Sequence, residues 1–86
     1  MITRKKEKKY YKEEGGISLN EITVLIPFRN EEHRIQVLLN SIKESELHPK
    51  EFIFIDDHST DKTIQLIGNE LNGINHSVLS LPDEIT

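Results

Sequence analysis

Apolar positions switch between two spacings along this chain, and each switch marks an element. Ile22-Thr23-Val24-Leu25-Ile26 is a near-continuous apolar run, the pattern of a strand covered on both faces, as in a parallel sheet with helices on either side. Pro27 cannot donate to a sheet ladder and is expected to stop it. Ile35, Leu38, Leu39 and Ile42 then fall at i, i+3, i+4 and i+7, the apolar stripe of a helix. Asn30 is its expected N-cap, with Glu31 and Glu32 in a first turn whose dipole favours negative charge. After the break at His48-Pro49, Phe52-Ile53-Phe54-Ile55 forms a second buried run that ends in Asp56-Asp57. Ser59 or Thr60 can cap a second helix, with Asp61 in its first turn. Ile64, Ile67 and Leu71 form its inward face, and Asn72-Gly73 closes it. Val78 to Leu81 reads as a third strand, followed by a turn at Pro82-Asp83-Glu84.

The order is therefore β-α-β-α-β, which predicts an α/β fold with a parallel sheet, an incomplete Rossmann-like arrangement joined by right-handed crossovers. Such crossovers bring Pro27 to Glu31 and Asp56 to Asp57 onto one rim. Ligands of open parallel sheets bind outside the carboxyl ends of their strands, so carboxylates at that rim are candidates for gripping one. Three strands and two helices make half of a doubly wound sheet. The expectation is a truncated product or fragment in which residues 17–86 are the amino-terminal part of a larger domain.

Charge divides the chain. Its 86 residues are 35% hydrophobic and 30% charged, proportions that argue against wholesale disorder, and the net charge is −4. Residues 1–12 carry Arg4, Lys5, Lys6, Lys8, Lys9 and Lys12 against Glu7 alone, a balance of +5 that leaves −9 for the remainder. Residues 1–16 read as a basic, flexible leader ending in Gly15-Gly16. It is a solvated tail or, through Tyr10-Tyr11 and the cations at residues 4–12, a segment suited to an anionic membrane surface. The acidic body and the lack of a recognition motif point away from nucleic acid. No cysteine is present, which excludes a disulfide framework or thiolate metal site. No apolar run approaches the roughly 20 residues of a membrane span, and Met1 is not followed by a signal-peptide core. The expected location is cytoplasmic, including the cytoplasmic face of a membrane.

Asp56-Asp57 can be a solvated strand-to-helix loop with a capping carboxylate. A calcium loop beginning at Asp57 fails, because Lys62 stands where glycine is needed and Gly68 where a bidentate glutamate is needed. A receiver-type phosphoacceptor would place its acidic pair after the first strand, which this order does not. His33, His48, His58 and His76 lack zinc-site spacing, and only His58 lies near the rim. Asn75-His76-Ser77 matches the glycosylation acceptor pattern, but no secretory signal accompanies it.

Taken together, Ile22-Thr23-Val24-Leu25-Ile26-Pro27-Phe28-Arg29-Asn30-Glu31-Glu32 and Phe52-Ile53-Phe54-Ile55-Asp56-Asp57-His58-Ser59-Thr60-Asp61-Lys62-Thr63 resemble the amino-terminal part of family 2 glycosyltransferases. That family has the GT-A fold, and the resemblance covers roughly residues 20–82. It implies that Pro27, Arg29 and Glu31 line the nucleotide side of the crevice and that Asp57 recognises the base of a UDP- or GDP-linked sugar. Asp56 and Asn30 support them. An ionised aspartate is an acceptor only and can take the imide N–H of uracil. Arg29 departs from the tyrosine common at its position, although a guanidinium can stack on a base and also meet phosphate. Glu31 suits a helix start as well as a crevice. The resemblance further implies a divalent cation, Mg or Mn, on the diphosphate. No residue here matches the family's Asp-x-Asp metal motif or its catalytic base, so no catalytic or metal-ligating residue is assigned, and the chain alone is expected to be inactive. The alternative is a non-catalytic α/β binding or interaction module.

Overall fold

The computed structural model describes residues 18–83. The basic leader, with the membrane contact expected of residues 4–12, lies outside them, as does Glu84 of the expected closing turn. After a short 3-10 turn at Leu19–Glu21, the elements are β1 (Thr23–Phe28), α1 (Ile35–Glu44), β2 (Glu51–Asp56), α2 (Thr63–Glu70) and β3 (His76–Ser80). All three strands are parallel, in the order β1-β2-β3. The fold is α/β, an incomplete Rossmann-like sheet.

Register fixes the two faces of the sheet. Phe54 pairs with Ile26 on one side and Val78 on the other, so these side chains share a face. Both helices cover that face: Ile35, Leu39 and Ile42 of α1, and Ile67 and the following Leu71 from α2, join Phe28 and Phe54 in one buried cluster. Fully burying each such side chain stabilises the fold by about 1.5–3 kcal/mol. The rings of Phe28 and Phe54 meet edge to face, 6.4 Å apart at 72°, which closes the core beneath the carboxyl ends of the strands. Lys43 of α1 and Glu70 of α2 form an ion pair across the helices. Hydrogen bonds from Lys43 and Gln36 hold the Glu70 carboxyl below its ordinary range.

Cover on both faces, expected from the continuous apolar runs, is not what the described residues show. Leu25 and Leu79 on the opposite face are more than half exposed. Two successive crossovers of the same hand between adjacent strands place their helices on the same side. Leu38 and Ile64, expected to face inward, are 37% and 38% exposed, each lying at the margin of its helix's buried stripe.

Pro27 does not end β1, which continues to Phe28. The Asp57 N–H donates to the Phe28 carbonyl at 3.0 Å. Since backbone groups alternate in direction along a strand, those of Pro27 point to the edge that pairs with no strand among the described residues, where a missing N–H breaks no ladder bond. The third strand starts at His76 and ends at Ser80, before Leu81.

Candidate functional site

Two loops follow the carboxyl ends of β1 and β2, and each finishes the other's helix. The first four N–H groups of a helix have no partner within it and need one from outside. Here it is the N–H groups just ahead of each helix that look across to the neighbouring loop. Asn30 N–H donates to Ser59 Oγ at 2.9 Å, Glu31 N–H to Thr63 Oγ1 at 2.8 Å, and Glu32 N–H to Asp61 Oδ2 at 3.1 Å. In return, Asn30 Oδ1 accepts from Thr60 N–H at 2.7 Å and Asp61 N–H at 3.2 Å, while Glu32 Oε1 accepts from Lys62 N–H at 2.8 Å. Asn30 adopts φ 48°, a left-handed conformation that asparagine tolerates better than most residues.

This exchange moves both helix starts. α1 begins at Ile35, not directly after Asn30, because residues 31–34 form a turn in which Arg34 and Ile35 both donate to the Glu31 carbonyl. α2 begins at Thr63, so neither Ser59 nor Thr60 is its cap. Asp61 instead accepts from Thr63 N–H at 3.0 Å and Thr63 Oγ1 at 2.6 Å. Burial disfavours the charged form of Asp61, but the bonds donated by Thr63 and by the Glu32 amide together outweigh it and hold the carboxyl below its ordinary range.

The carboxylate pair at the end of β2 divides by strand parity. Asp56 is in register with Phe28 on the helix-covered face and is 5% exposed. Its Oδ1 accepts the Ser59 N–H at 3.0 Å, shaping the loop from below. Asp57, one residue on, has a half-exposed side chain. Its Oδ1 lies 3.0 Å from His58 Nδ1, and His58 Nε2 lies 3.0 Å from Oδ1 of Asp83, beyond β3.

Pro27, Arg29 and Asn30 thus stand beside Asp56 and Asp57 at adjoining strand ends. Among the described residues, the exposed Arg29 guanidinium and Asp57 Oδ2 have no partner. Glu31 is less available: its carboxylate pairs with Arg34 Nε at 2.8 Å, within the same turn. Glu32, Ser59, Asp61 and Thr63 build the site without having been singled out as its residues. The two-residue step from Asp61 to Thr63 is a local signal for an aspartate turn, whereas bonds across 29 or more residues leave none in a single sequence.

Among the described residues, no group of three or more His, Cys, Asp or Glu side chains could hold a metal ion. No helix among these residues is long and apolar enough to cross a membrane.

No curated protein and no solved structure matches the chain. A family model does: residues 23–79, from the start of β1 to the penultimate residue of β3, match glycosyl transferase family 2. The match takes in both loops, the exchange of hydrogen bonds between them and the Asp56-Asp57 pair, and the chain belongs to that family.

Proposed function

We propose that this chain is the nucleotide-sugar-binding portion of a glycosyltransferase that moves a sugar from a nucleoside-diphosphate donor to an acceptor hydroxyl. Family membership supports glycosyl transfer in general, and the rim between β1 and β2 supplies chemistry for the donor. Asp57 accepts an N–H from the base, the uracil imide of UDP or the Watson–Crick edge of GDP. Arg29 stacks on the base or meets the diphosphate. Pro27 and Glu31 line the nucleotide side, Glu31 through the backbone of its turn and a carboxylate shared with Arg34. Asn30 and Asp56 hold the loops in place. In this reading the protein is cytoplasmic, and the cations at residues 4–12 suit contact with an anionic membrane surface on that side.

The observation that carries the proposal is that Asp57 Oδ2 and the exposed Arg29 guanidinium, neither with a partner among the described residues, follow directly on paired strand ends joined by the Asp57 N–H to Phe28 carbonyl bond. An acceptor for the base and a cation for phosphate are what a nucleotide requires. Calorimetry with UDP and GDP tests it. Asp57→Ala should weaken binding about 10- to 100-fold, the 1.5–3 kcal/mol of a hydrogen bond to a charged group. Equal affinity in parent and variant would exclude Asp57 from the contact.

A further inference from the structure

One side chain joins the ends of β2 and β3. His58 Nδ1 and Nε2 each lie 3.0 Å from a carboxylate oxygen, of Asp57 and Asp83 respectively. An ionised carboxylate only accepts, and a neutral imidazole has a single N–H to give. Both contacts are therefore hydrogen bonds only when the ring is an imidazolium. His58 also adopts φ 62°, the left-handed region that few non-glycine residues enter. Exposed ion pairs add little to stability, so a side chain held this way between two carboxylates is better explained by what it orients than by how much it stabilises.

We propose that His58 is a positioning residue: as an imidazolium it pins Asp57 by Oδ1, leaves Oδ2 as the acceptor offered to a ligand, and draws the segment after β3 onto the same rim through Asp83. The part concerning the ligand rests on the nucleotide-binding reading above; the clamp itself does not. Asp57 and Asp83 are the charged groups that act on the ring. The hydrogen bond to Asp57 does most to raise its pKa, partial burial opposes it, and the charge of Asp83 adds to the rise. The sign follows from the raised value. Protonation holds the clamp shut at low pH, and as pH rises through the titration the ring keeps one N–H and releases one carboxylate.

The experiment has two arms on the full 86-residue chain. In the first, the ring proton signals of His58 are followed by NMR from acid to alkaline pH without ligand. The expected midpoint lies above that of an ordinary histidine and falls in Asp83→Asn. An ordinary midpoint, or one indifferent to Asp83→Asn, overturns the clamp whatever the ligand does. In the second, UDP affinity is measured on either side of that midpoint in the parent and in His58→Asn, whose side chain tolerates the left-handed backbone. Affinity should drop by roughly 3- to 10-fold with rising pH in the parent, beyond any drop in the variant. The titration of UDP's own phosphate is common to both proteins and cancels. Binding with the same pH dependence in both overturns the positioning role. A raised, Asp83-sensitive midpoint with neither UDP nor GDP bound at either pH keeps the clamp and overturns the nucleotide reading instead.

Discussion

Thr63 shows how much of this site depends on single polar atoms. Its side chain is fully buried, and its hydroxyl accepts from Glu31 N–H while donating to Asp61. Removing that oxygen without changing the shape leaves a polar group unpaired, at a cost of about 1–3 kcal/mol. Thr63→Val should therefore lower stability to urea by about that much, and Thr63→Ser, which keeps the hydroxyl, by clearly less. Equal losses would show that packing, and not the bond between loops, sets the value of this residue. Asp61 brings in pH. A carboxyl held below its ordinary range contributes stability above its unfolded-state pKa and loses it as pH falls through the lower folded value. Acid unfolding of Asp61→Asn should accordingly depend less on pH than that of the parent below about pH 4. The Asp56-Asp57 pair was legible in the sequence as a feature of a strand end. Strand parity then separates the two, burying Asp56 and leaving Asp57 half exposed.

Each strand and helix was legible in its apolar spacing, while several ends were not. β1 runs through Pro27 because the edge position makes its missing N–H harmless, and no local signal tells an edge strand from a central one. Both helices begin later than their cap-like residues suggest, since Asn30 and Ser59 bond across the loops and not to their own helices. The continuous runs in β1 and β2 concealed the difference between the sheet's faces. That difference has a measurable consequence. Leu39 is fully buried beneath α1, whereas Leu25 on the other face is 59% exposed. Leu39→Ala should cost about 2–5 kcal/mol, enough to abolish cooperative unfolding in so small a domain. Leu25→Ala should cost under about 1 kcal/mol. Comparable losses from the two substitutions would mean that the exposed face is covered in solution.

For the molecule as a whole, two crossovers of one hand put the core on one side of a three-stranded sheet and every loop with site chemistry at one end of it. The family match spans this unit from β1 nearly to the end of β3. The basic leader and the acidic body divide the charge, and Arg29, which has no partner among the described residues, follows β1 as Asp57 follows β2. Backbone amides report residue by residue on donor binding there. Titrating the isotopically labelled chain with UDP and GDP should shift the amide signals of Arg29, Asp57 and His58 in a saturable way, for at least one nucleotide, while leaving Val37 and Gly73 still. Saturable shifts confined to residues away from the β1 and β2 rim, or no shifts from a chain whose spectrum shows it folded, would contradict donor binding at this rim.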